Sequence, residues 1–365
     1  MEQALLKTVA HNVWRFREGN RQTQQDLADA ARLPVSVIVD MESNAGQIDE
    51  DAVVAVADAL NRSVGELIRE PLRLNHIRFR ARRSLDRAVR ENVVDSCARW
   101  IKEYCFVEDE LDAPTSFATL PQINESRNIP EYAGIVRERL GLGKTAPIAD
   151  VADVLAACNV KLWYNPANLD GDVFGLSIRE SSRETGVVVF IGGLSTERII
   201  FTTIHEFAHL LLHTSSFNLD AADENDAEER EADLFASHFL MPKDAFLKRW
   251  NDCVASSLVE KVLIVKRYFR VSYLTVLRRL VEEKICGKSI LWKYADDYQD
   301  KYGVDLKDHT EPNPLSVFDK PQGRFDSLVC RAALNDKVSV GRAAEIMRIP
   351  TLQAYDLINR VGKGR

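Results

Sequence analysis

Residues Phe201-Thr-Thr-Ile-His-Glu-Phe-Ala-His-Leu-Leu-Leu-His213 demand a buried helix that carries polar side chains. Ile199, Ile200, Phe201 and Ile204 lie before its polar stretch, and Leu210, Leu211 and Leu212 lie after it. A helix that is apolar around most of its circumference belongs inside a core. His205, Glu206 and His209 nevertheless occupy its middle, where a polar group without a partner costs roughly 1–3 kcal/mol. Residues four apart stack on one face of a helix, one turn above each other, so His205 and His209 can direct two imidazoles at a single ion. A divalent metal supplies the partner that the burial requires. Glu206 then stands beside the first ligand, where it can act on a water at that ion.

A catalytic zinc takes three protein ligands and keeps one position open. The third ligand is sought in Ala227-Glu-Glu-Arg-Glu-Ala-Asp-Leu-Phe-Ala-Ser-His-Phe-Leu-Met-Pro242, where Ala232, Phe235, Ala236, Phe239 and Leu240 fall at helical spacing. Glu229, Ala232, Asp233 and Ala236 share one face of that helix. Glu229 is therefore the candidate ligand. Asp233 is the candidate hydrogen-bond partner of a ligating imidazole, an arrangement that fixes ring and tautomer. The same face argument turns Glu228 and Glu231 toward solvent, with the rest of the acidic run from Asp220 onward, as carboxylates that favour a helix N-terminus.

The run Ser195-Thr-Glu-Arg-Ile-Ile-Phe-Thr-Thr-Ile-His-Glu-Phe-Ala-His-Leu-Leu-Leu-His213, followed by Glu229-x-x-Ala-Asp-x-Phe-Ala236 and Leu240-Met-Pro242, resembles the ImmA/IrrE family of zinc peptidases. The resemblance covers about residues 126–285. It implies a gluzincin-like fold, a zinc cofactor held by His205, His209 and Glu229, and Glu206 as general base. It further implies a cytosolic protein that acts on helix-turn-helix repressors. In that reading zinc polarises the scissile carbonyl while Glu206 moves the proton from water toward the leaving amine. Tyr164, His213 and His238 are the candidates for stabilising the oxyanion. His213 is not made a ligand, because its spacing from His209 does not match the longer metzincin pattern.

With 365 residues, 45% of them hydrophobic, the chain is long enough for two or three domains with real cores. The expected fold class is mainly α with a small sheet (α+β). The expected domains are an all-α helix-turn-helix domain (1–70), a helical linker (71–125), the peptidase domain (126–285) and a helical C-terminal domain (286–365). Strands are expected at Val160–Tyr164, Val173–Ile178 and Gly186–Ile191. The last leads through Gly192-Gly193 into the metal helix and either accepts an extended substrate along a free edge or is a core strand. The six cysteines are scattered with no C-x-x-C pair, as in reduced cytoplasmic proteins. No run spans a bilayer and no signal peptide opens the chain, so no membrane role is expected.

At the N-terminus, Leu5, Val9, Val13 and Phe16 form one stripe, and Thr23 with Asp26 forms a capping pattern. Thr23-Gln24-x-x-Leu27-Ala28, Ile38-x-x-Met41-Glu42 and Val56-Ala57-x-x-Leu60 resemble the XRE (lambda-repressor-like) helix-turn-helix family, which implies a second helix set into the major groove. Gln24, Gln25 and Ser36 are the candidate DNA contacts. The recognition stretch Pro34-Val-Ser-Val-Ile-Val-Asp40 contains neither Arg nor Lys, and Arg32 stands where a turn glycine is expected. The net charge of −7 does not suggest a chain dominated by nucleic acid. Operator DNA, homodimerisation and docking of another repressor are all open to this domain. Arg73, Arg78, Arg80, Arg82, Arg83, Arg87 and Arg90 cluster around one expected linker helix and read mainly as solvated. Val262–Leu280 and the segment around Arg348-Ile-Pro-Thr351 read as further helix pairs, the former structural despite Arg278 and Arg279.

Two functions follow. One is a zinc metallopeptidase that cuts a repressor or antitoxin-like protein and so switches transcription. The other is a DNA-binding regulator or antitoxin whose peptidase-like domain binds a partner or senses a signal.

Overall fold

The computed structural model describes residues 2–45, 49–72, 74, 77–81, 86–115, 128–165, 173–180, 185–191, 195–213, 225–255, 257–306, 310–316 and 323–363. Gly192, Gly193, Asp220–Glu224, Arg73, Arg82 and Arg83 lie outside the described residues. Among the described residues run seventeen helices and one four-stranded sheet, the mainly helical α+β class expected. None of these helices is long and apolar enough to cross a membrane. The chain divides into two compact units, residues 1–74 with 81–109, and residues 75–80 with 110–365.

The first unit contains α1 (Glu2–Gly19), α2 (Gln24–Ala31), α3 (Val35–Ser43), α4 (Glu50–Ala59), α5 (Val64–Ile68) and α6 (Arg87–Glu110). Val9, Val13, Phe16, Leu27, Ile38, Met41, Val56, Leu60 and Leu67 make its core. Leu5, on the same stripe as Val9, is 45% exposed, a turn before the packed stretch begins. The Thr23 side chain accepts the Asp26 amide while Asp26 accepts the Thr23 amide, so the capping box forms with Asp in place of Glu. Asn12, fully buried, donates its side-chain amide to the carbonyls of Leu67 and Arg69 at 2.8 and 2.9 Å and ties α1 to the end of α5. Arg15, 1% exposed, faces Asp95 of α6 at 3.3 Å.

The second unit carries the sheet, β1 (Ile77–Ala81), β2 (Val160–Asn165), β3 (Val173–Glu180) and β4 (Thr185–Ile191), in the order β1-β3-β4-β2. β4 runs antiparallel to β3 and parallel to β2, with Val160 opposite Gly186. Consecutive residues Leu176, Ser177 and Ile178, and Val187 with Val188, are wholly buried, so these strands are covered on both faces. β4 is hydrogen-bonded on both sides. It is therefore a core strand, and the expectation that its edge takes up substrate is corrected: a strand with two partners has no free main-chain groups to offer. The presence of β1 corrects a second expectation. Arg78 and Arg80 belong to a strand, and among the described residues of the arginine group only Arg87 and Arg90 lie on a helix.

α7 (Ile129–Arg139), α8 (Val151–Ala157), α9 (Thr196–Leu212), α10 (Asp226–Leu240), α11 (Lys243–Asp252), α12 (Leu258–Phe269) and α13 (Tyr273–Glu282) share one core with β2 and β4. Three buried cations tie these elements together. Arg137 donates to the carbonyls of Phe239 and Ala146, both at 2.6 Å, and burial pushes its guanidinium down to about 10. Arg279, wholly buried, donates to the Met241 carbonyl and the Ser237 hydroxyl at 2.8 and 2.7 Å, which makes it structural as expected. Lys266 meets Glu197 at 3.0 Å and Glu311 at 2.7 Å, fastening the first turn of α9.

The chain ends in α14 (Ile290–Tyr302), α15 (Phe325–Leu334), α16 (Val340–Met347) and α17 (Thr351–Lys363). A Cβ on Gly323 would lie 2.2 Å from the Leu162 carbonyl oxygen, so only glycine lets the chain pass β2 there. The three helix pairs that look alike in sequence also turn alike. Arg32 between α2 and α3, Arg270 between α12 and α13, and Arg348 between α16 and α17 adopt the left-handed conformation at φ 57, 59 and 56°. Arginine thus occupies the position where glycine is the expected residue.

Candidate metal centre

α9 begins at Ser195, whose hydroxyl caps the Arg198 amide, and runs from there through the core. Ile204, His205, Phe207 and Ala208 are wholly buried, and Glu206, His209 and Leu210 are 1% exposed. The polar stretch is thus as deeply buried as its apolar flanks. α10 lies alongside, with Ala232, Phe235, Ala236 and Phe239 turned inward.

The two helices bring three donor atoms together. His205 Nε2 and His209 Nε2 are 3.0 Å apart, Glu229 Oε2 lies 3.1 Å from the first, and Glu229 Oε1 lies 3.2 Å from the second. One ligand atom from each of the three residues falls within 4.8 Å of the others. Burial outweighs the opposing contact with Glu229 and pushes the His209 imidazole down to about 3, so it is neutral. Burial alone would raise the Glu229 carboxyl, but its contacts with His205 and His209 outweigh burial and hold it well below the usual carboxylate range. A neutral imidazole and an ionised carboxylate are the protonation states that a divalent cation needs. Two nitrogen donors and one oxygen donor suit zinc.

Asp233 Oδ1 lies 2.8 Å from His205 Nδ1. With an ion at the shared position Nε2 is the bare nitrogen of this ring, and Nδ1 carries the proton that the Asp233 carboxylate accepts. Glu206 follows His205 on the helix and is buried with it.

The face argument fails for two glutamates. Glu228 pairs with Arg78 Nη1, and Arg78 Nη2 donates to Glu229 Oε1 at 2.9 Å. The Arg78 side chain is only 9% exposed, so neither Arg78 nor Glu228 is the solvated group expected. Glu231 lies 3.0 Å from His213 Nε2, and it too has a protein partner. The physical reason is that α10 has neighbours on more than one side: β1 supplies Arg78 and the end of α9 supplies His213. Helical spacing alone does not reveal either neighbour.

Of the oxyanion candidates, His238 is committed to Glu282 at 2.7 Å and His213 to Glu231. Tyr164 stands half-buried on β2, packed against the main core.

The candidate DNA contacts form a different picture. The Gln24 side-chain amide donates to Glu42 Oε2 at 2.8 Å, and Arg17 grips the same carboxylate at 2.6 Å. Gln25 donates to Asp29 at 2.8 Å, and Ser36 is exposed on α3. Asp26, Asp29, Asp40, Asp49, Glu50, Asp51 and Asp58 are exposed on or beside α2, α3 and α4, and Arg32 is the one cation between residues 23 and 60. Val35 and Val39 on α3 are 38% and 40% exposed.

Residues 168–281, which include all four candidate site residues, match the family model described as the IrrE N-terminal-like domain, Peptidase_M78. No curated protein matches the chain. Among solved structures, the apo form of ComR from S. thermophilus is similar at 13% identity over 99% of this chain and 98% of that one, with a TM-score of 0.17. A score that low carries no argument.

Proposed function

We propose that this chain is a zinc-dependent peptidase of the ImmA/IrrE type. The observation that carries the reading is the convergence of His205 Nε2, His209 Nε2 and Glu229 on one buried point, within the segment that matches the Peptidase_M78 model. When bound, zinc supplies a Lewis acid that polarises the scissile carbonyl and brings the pKa of water down to about 7. The protein does the rest. Glu206 takes a proton from the attacking water and hands it to the leaving amine. Asp233 holds the His205 ring by its Nδ1–H so that Nε2 stays directed at the ion. The apolar flanks of α9 keep bulk water from the reacting groups. The purified protein is expected to carry about one zinc ion per chain. It should also cleave a small repressor or antitoxin-like protein encoded beside it, with a chelator abolishing cleavage and zinc restoring it. Cleavage that survives complete metal removal would overturn the reading.

We infer in addition that α2 and α3 form a helix-turn-helix that docks a protein rather than reading DNA. An exposed surface of aspartates and valines repels phosphates, which need cations, and the Gln24 and Gln25 amides are held by Glu42 and Asp29. A repressor or antitoxin-like substrate with a basic surface is the partner it fits, and six scattered cysteines with no C-x-x-C pair are in keeping with a cytoplasmic location. A gel-shift titration on the protein's own promoter at low salt should show no retardation. A shift that weakens steeply as salt rises would restore the DNA-binding reading.

A further inference from the structure

We propose that His213 is a positioning residue of the metal centre, acting with Glu231 to set the tautomer of His209. The proposal rests on the zinc reading above and deepens it. His209 Nδ1 and His213 Nδ1 are 2.8 Å apart, a distance that requires one shared proton. Either ring can supply it as far as that pair is concerned. The choice is made at the far side of His213, where Nε2 lies 3.0 Å from Glu231 Oε2. The carboxylate only accepts, so Nε2 of His213 carries a proton. Of the two tautomers of the His213 ring, the one with its proton on Nε2 is the one that Glu231 can accept from. Nδ1 of His213 is therefore bare and accepts from Nδ1–H of His209. That leaves the lone pair of His209 on Nε2, the atom that faces His205 and Glu229.

The opposite assignment would put a proton on His209 Nε2 and block the shared position. Glu231 thus acts over two rings. Asp233 performs the same task for His205 in one step, and the two devices make both Nε2 atoms donors toward one point. His213 holds its neighbour with one nitrogen and Glu231 with the other, which removes it from the set of oxyanion donors.

The test measures zinc affinity by competition with a chromophoric chelator, together with the visible spectrum of the cobalt-substituted protein. His213→Phe keeps a ring of similar bulk but offers no acceptor, and should weaken zinc binding by about 10- to 100-fold, the usual effect of losing such a partner. His213→Asn places an amide oxygen near the position of Nδ1 and should restore affinity to within a few-fold of wild type. His213→Gln places its oxygen nearer the position of Nε2 and should stay close to the phenylalanine variant. If the buried substitutions do not fold, Glu231 decides, because its side chain is 32% exposed. Glu231→Ala should weaken zinc binding and shift the cobalt bands, whereas Glu231→Gln, whose carbonyl still accepts, should not. Wild-type affinity in a folded His213→Phe, equal rescue by Asn and Gln, or wild-type affinity in Glu231→Ala would each overturn the relay. A wild-type protein that binds no zinc would instead overturn the metal-site reading itself.

Discussion

Glu206→Gln is expected to leave zinc in place and to reduce cleavage of the protein substrate by about 10²- to 10⁴-fold, the usual contribution of a positioned general base. The reasoning separates binding from chemistry. His205, His209 and Glu229 meet at one point, while Glu206 is the next residue along the helix from the first ligand. Gln has the shape of Glu and cannot take up a proton near neutral pH. The side chain is 1% exposed, so an isosteric change disturbs packing least, and Glu206→Ala serves as the second variant. The measurements are metal per chain and the rate of cleavage of the products of neighbouring genes. Equal rates for wild type and Glu206→Gln would remove Glu206 from the chemistry.

Substitution of Glu229 should have the reverse signature, with the metal lost along with cleavage. Glu229→Gln keeps the side-chain volume but replaces a carboxylate held ionised beside two imidazoles by a neutral amide. Zinc affinity should fall by more than the roughly 10- to 100-fold that follows loss of an outer partner. Stability should fall as well. Arg78, 9% exposed, loses one of its two carboxylates, and removing one partner of a buried pair costs roughly 3–5 kcal/mol. The loss here should lie below that range, because Glu228 still holds Arg78. Metal analysis and thermal denaturation read both effects. Wild-type metal content in Glu229→Gln would show that the third donor lies elsewhere.

Much of this centre was legible before any coordinates. His205, Glu206 and His209 stand out because an apolar helix has no other use for three buried polar groups. Glu229 and Asp233 followed from helical spacing, and the structure sets both against His205. The strands at Val160, Val173 and Gly186 were legible from their apolar β-branched runs. What was missed belongs to tertiary neighbours. β1 escaped notice because Ile77-Arg-Phe-Arg-Ala81 is a short run in which alternating arginines resemble a solvated segment. Glu228 and Glu231 were assigned to solvent because a one-face picture of α10 allows it one neighbour, whereas it has several.

The sequence alone picked out the candidate residues, because the 3.6-residue period of a helix is local and converts spacing directly into a shared face. Only the tertiary structure decided how those residues are held. Arg78 reaches Glu229 across 151 positions, and Glu231 reaches His213 across 18. Such contacts arise from the packing of separate elements, and no local periodicity encodes which element lies beside which. Tertiary packing likewise made β4 an inner strand, since the number of partners a strand has depends on where its neighbours return and not on its own side chains.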